Sequence, residues 1–309
     1  NDEIEIGVLA EFIVYINMLT WPVAAVGWVT SVVQEAEASQ KRINKFLNQK
    51  VEIKNGIGVK KSFNGEIVFE NVTLIYPETN TKALDNLSFK IKAGEKVGIV
   101  GKVGSGKSSL LNLINRLYDV DEGKVLIGGS NIKDFKLDKL RSLIGNVMQN
   151  PFLFSESIKD NLLFGKIDAT KEEIEKACKN AAIHKTINSF KNGYDTILGE
   201  RGLTLSGGQI QRVSIARALI KNPQFFLFDD CLSAVDLDTE NKILKNIKVI
   251  CENKTTIMVS NRISSIKDSD KIFVLENGKI IETGNHKTLM ENKNYYSHLF
   301  NRQQNEKKY

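Results

Sequence analysis

A glycine-rich loop between a strand and a helix constrains the fold of this chain more than any other feature. The β-rich run Lys96–Val100 leads directly into GKVGSGKS, residues 101–108, and the helix-like sequence SLLNLINRL follows. This fits the pattern G-x-x-x-x-G-K-[ST] in the strand–loop–helix context that the pattern requires. Glycines let backbone N–H groups close around phosphates, and the helix N-terminus adds partial positive charge. The loop therefore predicts a P-loop nucleotide-binding domain.

The runs on either side of this loop predict an α/β fold. Further short strands are expected at Ile67–Phe69, Leu87–Ile91, Lys124–Ile127, Phe225–Phe228, Thr255–Val259 and Lys271–Leu275. The stretch from Ser157 to Lys221 has helical composition with charged faces. Strands with intervening helices indicate a largely parallel sheet, here with a helical insertion.

Two further residue types fit the chemistry of a bound nucleoside triphosphate. Lys107 can pair with the β- and γ-phosphates, and the Ser108 hydroxyl can ligate Mg²⁺. The apolar strand Phe225–Phe228 ends in Asp229 and Asp230. In P-loop proteins an acid at the end of such a strand holds Mg²⁺, so Asp229 is the candidate metal ligand.

The N-terminal segment predicts a membrane helix. Gly7–Val33 contains a single charged residue, Glu11, and is longer than the roughly 20 apolar residues that a spanning helix needs. Acidic residues (Asp2, Glu3 and Glu5) precede it and basic residues (Lys41, Arg42, Lys45 and Lys50) follow it. Because positive charge prefers the cytoplasmic side, we expect everything after residue 33 to be cytoplasmic. The chain begins at Asn1, so we expect it to be the C-terminal piece of a longer, multi-pass protein.

Motifs in the second half make the prediction more specific. Leu205-Ser206-Gly207-Gly208-Gln209 precedes the strand that ends in Asp229, and Ser233-Ala234-Val235-Asp236 follows it. Together with the phosphate loop, in this order and spacing, these motifs resemble those of ATP-binding-cassette (ABC) exporter half-transporters. The resemblance covers essentially the whole chain. It implies a last membrane helix with its cytoplasmic extension at 1–47, a linker at 48–63, and an ABC nucleotide-binding domain at 64–309 with a helical subdomain at about 150–221.

The resemblance also assigns roles to individual residues. Tyr76 matches the aromatic residue that stacks on adenine, and Gln149 matches the glutamine that joins the site to the membrane part. Thr196–Gly202 (TILGERG) looks like the exporter-type loop that meets the membrane part. ATP and Mg²⁺ would be bound by Tyr76, Gly101, Lys102, Val103, Gly104, Ser105, Gly106, Lys107, Ser108, Ser109, Gln149 and Asp229, with Ser108, Gln149 and Asp229 around the metal. The partner's ATP would be bound by Ser206, Gly207, Gly208, Gln209 and Asp236.

Two positions depart from the family pattern. The pattern has a glutamate directly after the Mg²⁺ aspartate, where this chain has Asp230, and a histidine after the next strand, where it has Asn261. The catalytic set would therefore be Asp230, Gln149 and Asn261. Asp230 is one methylene shorter than glutamate, and an asparagine side chain cannot carry a proton or positive charge. We expect strong ATP binding but weak hydrolysis at this chain's own site, and a heterodimer in which it completes the active site of a partner.

Other interpretations remain open at the level of sequence. A homodimeric exporter with Asp230 as a working base, an ATP-gated channel or regulatory subunit, and a soluble ABC ATPase acting on nucleic acid share the same motifs. The net charge of +6 fits an anionic membrane surface or a nucleic acid, but no interleaved aromatic and basic pattern favours nucleic acid. The three cysteines and three histidines show no metal-ligand spacing. We expect an exporter subunit in the cell's inner or plasma membrane that transports a small molecule, drug or lipid.

Overall fold

The computed structural model describes residues 6–59, 65–199 and 205–306, and the chain divides into two units at Lys54/Asn55. The first unit is one long helix, α1 (Ile6–Leu47). It is apolar and long enough to cross a membrane, and it buries no side chain. Residues 7–33 of this helix are almost entirely apolar, and such a surface is unfavourable in water, so its exposure is in line with a lipid environment. The acidic residues Asp2, Glu3 and Glu5 lie outside the described residues.

The second unit contains two β-sheets. The first strands and helices are β1 (Ile67–Tyr76), β2 (Thr81–Ile91), β3 (Lys96–Gly101), α2 (Lys107–Ile114), β4 (Glu122–Ile127), β5 (Ser130–Asn131), α3 (Leu137–Ser142), β6 (Ile144–Val147), α4 (Ile158–Leu163), α5 (Lys171–Asn180) and α6 (His184–Asn188). They are followed by α7 (Gly207–Ile220), β7 (Phe225–Asp229), α8 (Leu237–Ile250), β8 (Thr255–Val259), α9 (Ile263–Ile266), β9 (Lys271–Glu276), β10 (Lys279–Gly284), α10 (His286–Glu291) and α11 (Tyr295–Glu306). Short 3₁₀ turns lie at Ile132–Asp134 and Gly193–Asp195.

The expectation of one largely parallel sheet was wrong for the first strands. Strands β1, β2, β4 and β5 form a separate antiparallel sheet in the order β2-β1-β4-β5. The remaining strands form a six-stranded sheet in the order β10-β9-β3-β8-β7-β6. Within it β9, β3, β8, β7 and β6 run parallel, and β10 pairs antiparallel with β9. Short antiparallel strands need no crossover helix, and such pairings are set by long-range contacts that local sequence does not reveal.

The parallel sheet is buried on both faces, as sheets of this kind require. On β7, Phe226 and Phe228 belong to one core cluster with α4, α5 and α7, whereas Phe225 and Leu227 belong to the other with β1, β2 and α2. This alternation explains why the four residues before Asp229 are all apolar: successive side chains point to opposite faces, and both faces are covered. The helical insertion is present as α4 to α7.

Candidate nucleotide-binding site

Parallel strands bring the predicted site residues to one edge of the sheet. The phosphate loop follows β3, Asn261 follows β8, Asp229 and Asp230 end β7, and Gln149 follows β6. These strands are neighbours in the sheet, and Asp229 lies in register with Val259. Ligands of open α/β sheets bind outside the carboxyl ends of the strands. A cleft of about 290 Å³ lies there, lined among others by Tyr76, Val103, Gly104, Ser105, Gly106, Lys107, Ser108, Ser109, Gln149, Asp229, Asp230 and Asn261.

The backbone of the phosphate loop requires glycine at the start of α2. Gly106, the N-cap of α2, has φ of 99°, a left-handed conformation that L side chains rarely adopt. A Cβ atom at Gly106 would lie 2.5 Å from the Ala83 carbonyl oxygen. The Lys107 ammonium donates hydrogen bonds to the carbonyl oxygens of Gly101 and Lys102, each at 2.8 Å. The loop therefore wraps around the lysine side chain and presents it at the centre of the cleft.

The site gathers opposite charges in a poorly solvated place. Burial lowers the pKa of Lys107, and the nearby carboxylates of Asp230 and Asp229 act in the opposite direction. Burial likewise raises the pKa of Asp229, against a hydrogen bond from Ser108 and the charge of Lys107. At both groups burial outweighs the favourable neighbours, so neither charge is fully compensated within the chain, which favours a charged ligand that adds compensating interactions.

Two residues of the predicted loop lie outside this lining. Gly101 is the last residue of β3, and a Cβ atom there would lie 2.2 Å from the Leu275 carbonyl oxygen. The Lys102 ammonium lies 2.8 Å from a carboxylate oxygen of Glu276 and 5.6 Å from the centre of the Tyr295 ring. Glycine at 101 is therefore explained by close packing of β3 on β9, and the Lys102 side chain contacts neighbouring elements of the domain.

Tyr76 ends β1 at the mouth of the cleft. Its hydroxyl donates a 2.9 Å hydrogen bond to the Ser109 hydroxyl, and its ring meets Tyr118 edge-to-face at 5.0 Å between centroids. These contacts fix the ring in a half-buried position, where a planar base can lie against it. The position agrees with the stacking role that the sequence suggested, and that role remains a prediction.

Removal of the Tyr76 ring is expected to weaken ATP binding by about 5- to 150-fold, because base–aromatic stacking contributes about 1–3 kcal/mol. Tyr76→Ala tests this by titration of the full chain in lipid nanodiscs with Mg²⁺ and a fluorescent ATP analogue. Tyr76→Phe is the control: it removes only the bond to Ser109 and should bind within about threefold of the original chain. Equal losses in both variants would contradict a stacking role.

Asp230 and Asn261 bind each other. The Asn261 side-chain amide donates to Asp230 Oδ2 at 2.9 Å, and the Asn261 backbone N–H donates to Oδ1 at 3.4 Å. Asp230 is buried and has φ of 41°, a left-handed conformation that aspartate tolerates better than longer side chains. Both carboxylate oxygens therefore have partners on the chain, and both partners are groups of Asn261.

The residues present fit a magnesium ion. Ser108, Gln149 and Asp229 all line the cleft and offer a hydroxyl, an amide oxygen and a carboxylate. Oxygen ligands of this kind, few in number and completed by phosphate oxygens and water, are what Mg²⁺ prefers. Among the described residues there is no cluster of three or more His, Cys, Asp or Glu side chains that could hold a metal ion.

The residues predicted to bind the partner's ATP lie apart from the cleft. In the part of the chain that the structure describes, Ser206, Gly207, Gly208, Gln209 and Asp236 do not line the cleft. Ser206 caps α7: its hydroxyl accepts from the Gln209 N–H at 3.4 Å, and Gln209 Oε1 accepts from the Ser206 N–H at 2.9 Å. Asp236 caps α8 by accepting from the Thr239 N–H at 2.9 Å. Residues 200–204, which include the end of TILGERG, lie outside the described residues.

Close packing and hydrogen bonds connect the start of α7 to Asp230. A Cβ atom at Gly208 would lie 2.7 Å from the Ala234 carbonyl oxygen, so the start of α7 packs directly on the segment before Asp236. Gln211 accepts from the Ala234 N–H at 3.1 Å and donates to the Ser233 hydroxyl, which in turn donates to the Asp230 carbonyl oxygen at 2.9 Å. Sequence reasoning identified Ser233 only as part of the motif that ends in Asp236, and it did not find Gln211, because one glutamine in a helix carries no motif.

Comparison with known proteins agrees with the fold. Residues 84–233 match the family described as ABC transporter. A multidrug resistance-like ATP-binding protein, MdlA, of Buchnera aphidicola is 41% identical over 304 residues, which cover 98% of this chain and 52% of that protein. A probable multidrug resistance ABC transporter ATP-binding/permease protein, YheI, of Bacillus subtilis is 40% identical over 307 residues, with 98% and 52% coverage. The structure of a bacterial Atm1-family ABC exporter with ATP bound has a TM-score of 0.81 at 35% identity and covers 94% of this chain and 51% of that one.

The fold and the cleft define an ABC-type ATPase domain of the P-loop class. The chain belongs to the ABC transporter family, as a nucleotide-binding domain with one N-terminal helix, and it spans about half the length of the curated relatives it matches. Membership confirms the predicted fold class and the predicted location, a membrane helix followed by a nucleotide-binding domain on the cytoplasmic side.

Proposed function

We propose that this chain is the ATP-binding part of one half of a heterodimeric ABC exporter. It has the last membrane helix and its extension at 1–47, a linker at 48–63 and the nucleotide-binding domain at 64–309. Two relatives are named for multidrug resistance, which supports a drug or another small molecule as the transported substrate. Whole-protein activity would couple ATP binding and hydrolysis to export.

The Asp230–Asn261 pair is the observation that carries the proposal of weak hydrolysis. A general base must reach a water beside the γ-phosphate, and positioning errors of about 1 Å can cost on the order of a hundredfold in rate. Here the short Asp230 carboxylate accepts two hydrogen bonds from Asn261, at 2.9 and 3.4 Å. The amide of Asn261 is thus directed at the carboxylate and cannot supply the positive charge that a histidine could.

The rest of the site is built for binding. The ammonium of Lys107 lies within the phosphate loop, and the N–H groups at the start of α2 point along the helix axis into the cleft. Ser108, Asp229 and Gln149 would hold Mg²⁺, which supplies charge neutralisation for the phosphate oxygens. Tyr76 would stack on the base. None of these contacts depends on Asp230 or Asn261, so affinity for ATP should be retained where hydrolysis is slow.

The capped start of α7 supports a role for this chain in a partner's site. Ser206 and the two glycines after it combine a hydroxyl, bare backbone and the N-terminus of a long helix, which together form an anion site. They lie outside this chain's own cleft. We propose that Ser206 to Gln209 and Asp236 face ATP held by a second half-transporter, which has its own glutamate and histidine.

An exposed aromatic cluster follows Gln149 and supports contact with the membrane part of the transporter. Phe154 stacks on Phe164 at 4.4 Å and meets Phe152 edge-to-face at 5.0 Å between ring centroids. All three side chains are 41% exposed or more, and such apolar patches mark interaction sites.

A mixing experiment tests the two halves of the proposal. The repaired variant (Asp230→Glu with Asn261→His) is combined with Ser206→Asp, which keeps an N-cap acceptor but repels phosphate. This triple variant should be inactive alone, because every ATP site in its dimers would face the substituted position 206 of the other copy. Mixing it with the original chain in nanodiscs should restore phosphate release, because the original chain's Ser206 completes the repaired site.

The outcomes separate the candidate functions. Brisk hydrolysis by the original chain alone would favour a homodimeric exporter with Asp230 as its base. Activity of the triple variant alone would contradict the role of Ser206 in a partner's site. Ion conductance by the complete transporter in a planar bilayer would favour a channel.

A further inference from the structure

The C-terminal helix α11 contacts the loop that carries Asn261. Gln303, near the end of α11, donates from Nε2 to the Asn261 carbonyl oxygen at 2.7 Å and accepts at Oε1 from the Ile263 N–H at 2.9 Å. A single side-chain amide thus satisfies the two backbone groups on either side of Arg262. The paired geometry fixes the direction of the Asn261 carbonyl and the Ile263 N–H at once, since donor and acceptor of one planar amide cannot move independently.

These bonds stabilise a loop that has no regular secondary structure of its own. Asn261 lies between β8 and α9, and its neighbours bond elsewhere: the Arg262 N–H donates to the Ser260 hydroxyl at 3.0 Å, and the Arg262 guanidinium donates to Glu240 at 2.6 Å. The Asn261 side chain and N–H both point to Asp230. The orientation of Asn261 toward the cleft is therefore set from both sides, by Asp230 on one and by Gln303 on the other.

α11 is anchored well enough to act as a support. Tyr296 is fully buried, its N–H donates to Glu282 Oε1 at 3.1 Å, and its hydroxyl lies 2.8 Å from His286 Nδ1. Tyr295, Leu299 and Gln303 follow one another at intervals of four residues, which places them on one face of the helix. Tyr295 on this face lies under the Lys102 ammonium at the phosphate loop, and Leu299 packs on the core.

We propose that Gln303 is a positioning residue, through which α11 holds the Asn261 loop in register with the phosphate loop. The same face of one helix contacts both loops that border the phosphate end of the cleft, at Lys102 and at Asn261. Gln303 does not line the nucleotide cleft and acts through the backbone of Asn261. The inference goes beyond the proposed function, because it holds whether the site hydrolyses ATP slowly or fast.

Hydrogen exchange at the loop tests the contact directly. Gln303→Ala is compared with Gln304→Ala, its exposed neighbour on α11, in the full chain in nanodiscs. Loss of both bonds should speed exchange in the peptide that contains Ile263 by about 5- to 30-fold, while exchange in β7 and β8 and the thermal midpoint stay unchanged. Gln304→Ala should leave all three unchanged. Gln303→Glu keeps the acceptor for the Ile263 N–H but opposes the Asn261 carbonyl, and should give an intermediate rate.

A kinetic measurement tests whether the contact matters for the site. In the repaired variant, Gln303→Ala should lower kcat by about tenfold or more while KM stays within about twofold, since the loop is misplaced but the binding groups remain. Unchanged exchange at Ile263, or an equal effect of Gln304→Ala, would overturn the proposal. If the repaired variant itself has no activity, the proposed function fails, and the exchange measurement still decides the role of Gln303.

Discussion

Replacement of Asp230 by glutamate together with Asn261 by histidine is expected to raise phosphate release from this chain by about a hundredfold. The added methylene moves the carboxylate toward the γ-phosphate side of the cleft, and loss of the Asn261 amide frees it from the 2.9 Å bond that now holds it. General-base assistance contributes about 10²–10⁴-fold, and the lower end is expected because the surrounding loops are adapted to the present pair. The rate is measured with saturating Mg-ATP in the full chain in nanodiscs.

The same pair of changes elsewhere gives a matched control. Asp238→Glu with Asn241→His places identical substitutions on the exposed side of α8 and should leave the rate unchanged. Asp230→Glu alone should gain less than the double change, since Asn261 remains its partner. Glutamate at the left-handed position of Asp230 should also cost about 1 kcal/mol of stability, so a melting curve accompanies each rate. A folded double variant with the original rate would contradict the idea that Asp230 and Asn261 limit hydrolysis.

Loss of the Lys107 ammonium is expected to weaken ATP binding by about thirtyfold or more. Removal of one partner of a buried, hydrogen-bonded charge pair typically costs 2–5 kcal/mol, and Lys107 is buried at the centre of the phosphate loop. Its aliphatic stem packs within the loop, so Lys107→Met preserves most of the packing and removes the charge. The dissociation constant for a fluorescent ATP analogue with Mg²⁺ provides the measurement.

An exposed lysine in an ion pair serves as the control for Lys107. Lys279 lies 3.0 Å from Asp85 and is 61% exposed, so Lys279→Met should change affinity by less than about twofold. A melting curve accompanies each variant, so that a loss of affinity is distinguished from a loss of folding. Retention of affinity in Lys107→Met would contradict the assignment of the cleft as the ATP site.

Much of the site could be predicted because its residues follow strands directly. Asp229 comes at the end of one apolar run, and the phosphate loop comes at the end of another. The carboxyl ends of parallel strands lie at the same edge of a sheet, whatever the rest of the fold. The sequence also showed that Asp230 and Asn261 depart from the family pattern, because each stands at a known distance from the other motifs. Their mutual hydrogen bonds were not, because spacing in sequence does not say whether two side chains face each other or the ligand.

The remaining features depend on contacts between distant parts of the chain. The separate antiparallel sheet, the side-chain contacts of Lys102 outside the cleft, and the joining of α7 to Asp230 through Gln211 and Ser233 have no local signal.

The sequence by itself determined the P-loop class, the apolar helix and the residues at the ends of the strands, since these follow from hydrophobic pattern and glycine geometry within short segments. Only the tertiary structure decided that Asn261 binds Asp230 and that Gln303, from the last helix, holds the same loop. Such pairings arise because packing of the core brings together segments that are distant in sequence. A polar side chain that is buried there forms hydrogen bonds with the groups that this packing places beside it.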